Sequence, residues 1–278
     1  MRSLLFAPAT KPELVAKLAD RGADAVVFDL EDAVPLGAKV TARPQARAGA
    51  ETLLAQPEGP AVWIRVNAVP TEWFEADVAE AIPRGVAGVV VPKVESGEQV
   101  QVVRAALAAA HLAELAIMAG IETAAGVVRA DALLAPPVTH AYFGAEDYIS
   151  DLGGVRTAHN QEVLYARSRV ALAARVGGVH ALDQVVTDFG DDRRFLADAA
   201  EGAMLGYRGK LCIHPAQVTL AHQAFTPSAE DVARARALLA AYEDAAAAGQ
   251  GAIAFDGQMV DEPLARQARD IVFRAGGD

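Results

Sequence analysis

A chain of 278 residues with 53% hydrophobic content is long enough to bury one large core, and this composition excludes global disorder. The formal net charge of −11 gives no basic field for nucleic acid, and no apolar run approaches the roughly 18 residues needed to cross a membrane. Cys212 is the one cysteine, so no intrachain disulfide forms; with a start that lacks the long hydrophobic stretch of a secretion signal, the expectation is a soluble cytoplasmic protein.

In chain order, SLLFAPA at 3–9 reads as a buried strand, PELVAKLADRG at 12–22 as a helix and ADAVVFDLED at 23–32 as a second strand. Apolar runs without strict polar alternation are expected when helices cover both faces of a parallel sheet. The unit repeats: strand 61–67, helix 72–85, strand 85–94, helix 98–111, then strands at 112–123, 139–148, 180–186 and 207–215. Helices are expected over 162–176, stopped by Gly177 and Gly178, and within 184–202. Eight such units predict an α/β fold, a (β/α)8 TIM barrel over 1–225. The pattern then changes. Pro227 ends an extended segment, Ser228 precedes a long helix, and a hairpin signal, an acidic turn at 256–261 and a terminal helix complete a C-terminal helical and lid segment over 226–278.

The residues able to do chemistry stand at the carboxyl ends of the strands, where such a barrel carries its site. Glu122 and Asp147 end adjacent strands and offer two hard oxygen ligands, which suit magnesium better than zinc because no HExxH or paired-cysteine motif is present. Each could equally cap a helix or a turn. Asp29, Glu31 and Asp32 form a second acidic group, as readily a buried shell ordered by Arg65 or Lys93 as a catalytic set. The planar fork of Arg65 suits a substrate carboxylate or an enolate oxygen; its alternative is an ion pair with Asp29 or Glu31. A Schiff-base role for Lys93 and proton transfer by His214 are weaker readings, His214 otherwise anchoring the last loop. Arg2, Lys11 in ATKPE and Lys210 in GYRGK are candidates to meet the phosphates or pantetheine arm of coenzyme A, although glycine beside a basic residue also marks ordinary turns. Neither a GxGxxG nor a P-loop motif is present. Cys212 reads as a reduced core thiol.

Taken together, RSLLFAPA at 2–9, ADAVVFDLEDAV at 23–34, WIRVN at 63–67, VVPKVES at 90–96, GIETAAGV at 120–127, FGAEDYISDLG at 143–153, LGYRGKLCIHPAQ at 205–217, FTPS at 225–228 and FDGQMVDEP at 255–263 resemble the family of citrate lyase beta subunits and malyl-CoA or citramalyl-CoA lyases. The resemblance implies a magnesium-dependent carbon–carbon lyase acting on a 3-hydroxy-3-carboxyacyl thioester, with coenzyme A or an acyl-carrier protein as the carrier. It implies Glu122 and Asp147 as metal ligands, Arg65 as the group that steadies the enolate, and Asp261 as an acid brought over a neighbouring subunit's barrel in a homotrimer or hexamer. Other readings are a citrate lyase beta subunit needing an acyl-carrier protein and a transferase subunit, a malyl-CoA-type thioesterase, an aldolase of free hydroxy-oxo acids, and a noncatalytic assembly protein. The chain departs from the family's LFxPG turn at Ala9, and because alanine enters positive φ less freely than glycine, an altered nucleotide-binding turn is expected.

Overall fold

The computed structural model describes residues 1–11, 15 and 17–276. It divides into two compact units, Met1–Gln223 and Ala224–Asp278. The first holds eight parallel strands in the closed order β1 to β8: Ser3–Pro8, Ala25–Asp29, Ala61–Arg65, Gly88–Val91, Ala116–Ile121, Val138–Phe143, His180–Asp183 and Gly209–Cys212. β1 pairs with both β2 and β8, so no strand edge is left. This is the (β/α)8 barrel the sequence predicts. The helix expected over 12–22 falls largely outside the described residues.

Strand alternation decides what each side chain faces. Leu4, Val27, Trp63, Val90, Met118, Tyr142, Leu182 and Leu211 point inward and form one buried cluster inside the barrel. Two residues further along β2, β3 and β6, and four further along β5, the same inward rows reach Asp29, Arg65, Gly144 and Glu122. A polar layer therefore sits on an apolar plug, at the end where the strands finish.

Two helices differ from the sequence expectation. Lys39–Leu54, here α1, buries Ala42, Ala46, Ala50 and Leu53, a helical spacing in small residues whose apolar signal is weak. Pro215–Phe225, here α2, replaces the extended segment expected before Pro227: Val218, Ala221 and Phe225 are buried at steps of three and four. The second unit contains the helix Ala229–Ala247, an antiparallel hairpin of Ile253–Phe255 and Gln258–Val260, and the helix Glu262–Arg274. Ser228 and Asp231 form a reciprocal capping box at its start. The hairpin turns through Asp256 and Gly257, both at positive φ as a two-residue primed turn requires. Tyr242, Val260 and Ala265 are its buried core.

On the outer side of β7 and β8 lies a buried ionic cluster. Arg167 donates to both carboxylate oxygens of Asp183 at 2.8 and 2.6 Å, and Lys210 donates to Asp183 at 2.9 Å and to Asp198. Arg167, Asp183 and Lys210 are all fully buried. Removing one partner of such a set strands a charge without solvent. Lys210→Met is expected to lower unfolding free energy by about 3–5 kcal/mol, read from urea denaturation. At the other end of the barrel His180 Nε2 donates to the Met1 carbonyl (2.9 Å), and its ring lies 5.4 Å from that of His140. Burial lowers the His180 pKa from 6.5 to about 4. The unfolded chain therefore binds the extra proton first, and stability is expected to fall as pH drops from 6.5 towards 4, with a shallower fall in His180→Gln.

Candidate active site

The strand ends enclose a cavity of about 530 Å³, open mouth included, lined by Arg65, Glu122, Tyr142, Asp147, Asp32 and several apolar residues. Glu122 follows β5 and is 1% exposed. Its Oε1 accepts from the Lys93 backbone N–H at 2.8 Å and from the Tyr142 hydroxyl at 3.0 Å. Lys93 presents that N–H from a left-handed conformation, φ 53°. A Cβ at Gly144 would lie 2.3 Å from Glu122 Oε2, and one at Gly120 2.9 Å from Oε1, so the two glycines leave the space the carboxylate fills. The cap reading of Glu122 is not what the structure has: Thr123 caps the helix Ala124–Val128, and Asp151 takes the Ala124 N–H at 2.8 Å. Asp147 stands in the first turn of Ala145–Leu152, a helix whose N-cap is Gly144.

Arg65 forms both ion pairs left open by the sequence. It donates Nε and Nη2 to Asp29 at 2.7 Å each, and Nη1 lies 2.8 Å from Glu31 Oε2. Its guanidinium sits 4.9 Å over the Phe6 ring and still lines the cavity. Lys93 Nζ bridges Glu31 at 2.6 Å, Asp147 at 3.4 Å and Asp32 at 3.5 Å. Burial alone would lower its pKa, but the hydrogen bond and charge of Glu31 raise it overall, which leaves no neutral amine for a Schiff base. Asp29 stays below the ordinary range because Arg65 outweighs its burial. Glu122 goes the other way: burial, then the charge of Glu31, pushes it up to about 8.

Three further residues support this layer and were not singled out from the sequence. Tyr142 holds Glu122, and its signal was its inward place in β6 two residues before Gly144. Lys39 and Asn67 brace the Asp29–Asp32 turn from behind, Lys39 donating at 2.7 Å to the Leu30 and Glu31 carbonyls and to Asn67 Oδ1. Five carboxylates, Asp29, Glu31, Asp32, Glu122 and Asp147, thus meet three cations, Arg65, Lys93 and Lys39. Among the described residues no group of three or more His, Cys, Asp or Glu is arranged to hold a metal alone. The carboxylate pair therefore fits an ion that completes its shell with water and substrate oxygens, as magnesium does.

Other expected site residues lie elsewhere. Arg2 precedes β1, at the far end of the barrel, and donates to Asp24 from Nε at 3.1 Å and Nη2 at 2.8 Å. Lys210 is fully buried among Asp183, Asp198 and Phe195. Neither is brought to the mouth, because charge in a sequence does not reveal which strand end or face carries it. Lys11 follows β1 on the mouth side and is exposed. Ala9 is not among the residues at positive φ, so its turn closes without the conformation that would need glycine. His214 stacks on Phe189 at 4.9 Å, which is the anchoring role. Cys212 is buried, its thiol pushed up to about 12 by that burial. Asp261 begins Glu262–Arg274 without a side-chain cap bond, and its Oδ1 is buried with no hydrogen-bond partner.

A barrel with an acidic pair, a buried arginine and a cavity at the carboxyl ends defines an enzyme site built for metal-assisted chemistry on oxygen-rich substrates. Comparison with known proteins gives the family. The profile described as HpcH/HpaI aldolase/citrate lyase matches residues 2–215. A Deinococcus radiodurans citrate lyase subunit beta-like protein is 53% identical over 275 residues, 98% of this chain and 96% of the relative. Human mitochondrial citramalyl-CoA lyase is 30% identical over 98% of this chain and 84% of its own. A Mycobacterium tuberculosis CitE structure in complex with magnesium, acetoacetate and coenzyme A superposes with TM-score 0.84 at 36% identity, covering 99% of this chain and 98% of that one. The chain belongs to the HpcH/HpaI aldolase/citrate lyase family.

Gly144→Ala and Tyr142→Phe are each expected to weaken metal binding about 10–100-fold with the barrel intact. Manganese titration followed by electron paramagnetic resonance, with circular dichroism as the folding control, checks both.

Proposed function

We propose that this magnesium-dependent lyase cleaves a 3-hydroxy-3-carboxyacyl thioester of citryl, malyl or citramalyl type to an acyl thioester and a 2-oxo acid, acting in the cytoplasm on coenzyme A thioesters. The observation that carries the reading is the convergence of Glu122, Asp147 and Arg65 on one cavity. The M. tuberculosis relative's magnesium and coenzyme A support the metal and the carrier.

When bound, magnesium makes the substrate hydroxyl easier to deprotonate and aligns the bond to be broken. Glu122 and Asp147 would hold it, and Tyr142 and the Lys93 N–H fix the rotamer of Glu122. Arg65, locked by Asp29, aims its guanidinium at the cavity, where the thioester enolate develops; a preorganised donor of this kind contributes about 3–4 kcal/mol. Asp261 delivers the proton to the enolate carbon, and in reverse removes it. Its freedom from a capping bond supports this role, since no local structure consumes the carboxylate. The assembly we propose is a homotrimer, or a hexamer of two, in which Asp261 serves a neighbouring subunit's barrel.

Mass spectrometry of products from malyl-CoA, citramalyl-CoA and citryl-CoA with magnesium tests the reaction. Acetyl-CoA plus a 2-oxo acid is expected; free coenzyme A with an intact hydroxy acid would replace the lyase by a thioesterase, and turnover only with an acyl-carrier protein and transferase would make the chain a citrate lyase beta subunit. Asp261→Asn is expected to abolish α-proton exchange of the acyl thioester while metal binding persists. Mixing Asp261→Asn with Arg65→Met chains is expected to restore part of the activity, because some barrels would then receive an intact partner of each kind; no recovery would sink the shared site.

A further inference from the structure

The cavity is chemically divided by strand. All its charged lining residues, Asp32, Arg65, Glu122, Glu146 and Asp147, come from the ends of β2, β3, β5 and β6. The contiguous sector of β7, β8 and β1 contributes Val185, Leu211, Ile213 and Phe6 and no polar side chain. Phe6, Val185 and Leu211 belong to the apolar packing inside the barrel. β1 stands across the closed sheet from β5, so the apolar sector faces Glu122.

This division bears on the one substituent that separates citryl, malyl and citramalyl thioesters. The carbon to be cleaved carries a hydroxyl, a carboxylate, the thioester arm and a fourth group, which is carboxymethyl, hydrogen or methyl respectively. The hydroxyl and carboxylate oxygens go to the metal-binding sector. The thioester arm leads to a carrier too large for a 530 Å³ cavity and leaves through the mouth. The fourth group is left with β7, β8 and β1. Among the described residues Arg65 is the one cationic side chain lining the cavity; it stands over Phe6 at 4.9 Å, but its Nε, Nη1 and Nη2 meet Asp29 and Glu31 and its remaining field goes to the enolate, so a second carboxylate beside Val185, Leu211 and Ile213 would have no cation of its own. It would lose its hydration against Val185 and Leu211 with four carboxylates across the cavity.

Resting on the thioester-lyase reading above, we infer that Phe6, Val185, Leu211 and Ile213 form an alkyl-selecting wall, so that the 2-oxo acid released carries an alkyl side chain rather than a second carboxylate. The wall selects pyruvate-forming thioesters and their longer-chain homologues, and disfavours oxaloacetate-forming ones. A methyl in place of hydrogen is favoured by the same contact, on the order of tenfold.

Two measurements on the full chain decide it. The first is the ratio of kcat/KM for citramalyl-CoA to that for citryl-CoA, expected to be about 100-fold or more. The second is calorimetric binding of pyruvate, 2-oxobutyrate and oxaloacetate to the magnesium-loaded protein, with both alkyl acids expected to bind more tightly than oxaloacetate. Equal ratios, or tighter oxaloacetate binding, would overturn the wall while leaving the lyase reading in place. No turnover of any thioester would overturn the lyase reading, and the binding order would still decide the selectivity. Ile213→Lys places a cation in this sector at a position 40% exposed, where a charged side chain is compatible with folding. It is expected to narrow both preferences at least about tenfold by pairing the second carboxylate; unchanged preferences in a folded variant would remove Ile213 from the wall.

Discussion

The site depends on keeping a carboxylate, Glu122, almost without solvent. A charge at that depth is disfavoured by its own desolvation, and here also by the neighbouring charge of Glu31. The surroundings answer with two donors on one oxygen, space from two glycines around the other atoms, and a guanidinium and an ammonium nearby. These measures still leave the carboxyl raised to about 8, so a small divalent cation beside it would favour its charged form. Much of the upper barrel follows from this requirement: Tyr142 must be inward, residues 120 and 144 must lack side chains, and the Asp29–Asp32 turn must be braced by Lys39 and Asn67.

Two ionic clusters of similar composition serve different ends. The cluster of Arg167, Lys210, Asp183 and Asp198 is sealed between strands and helices, and its members satisfy one another. The cluster at the mouth opens onto a cavity. Burial and pairing alone do not tell them apart. Access does.

Much of this was legible in the sequence because barrel strands end abruptly in chemically active residues. The eight strands follow from apolar runs, and Glu122, Asp147, Arg65 and Lys93 follow from the runs' ends. Arg2 and Lys210 were misplaced for a physical reason. A strand carries side chains alternately to the two faces of the sheet, so Lys210 beside inward-facing Leu211 had to face the helices, and Arg2 before β1 had to lie at the opposite end from the cavity. Alternation places Lys210, and position ahead of the strand places Arg2; both signals are in the sequence. The inward place of Tyr142 follows from the same alternation, but its bond to Glu122 does not, and Lys39 carries no such signal because it acts on the Asp29–Asp32 turn and Asn67 only once the fold brings them together. The alanine-rich helix Lys39–Leu54 was obscured by small residues that pack well but contribute little apolar contrast.

Lys93 shows what the arrangement demands of the backbone. A lysine held in the left-handed region is disfavoured by about 1–2 kcal/mol relative to the right-handed one, and glycine would remove that strain. Yet the same residue aims its N–H at Glu122 and shares its ammonium among Glu31, Asp32 and Asp147. Glycine would relieve the backbone but strand the buried Glu31 without its ammonium, a cost that exceeds the strain removed. Selection at this position therefore keeps a strained backbone for the sake of a side chain, and a survey of dihedral angles alone would mistake that compromise for a defect.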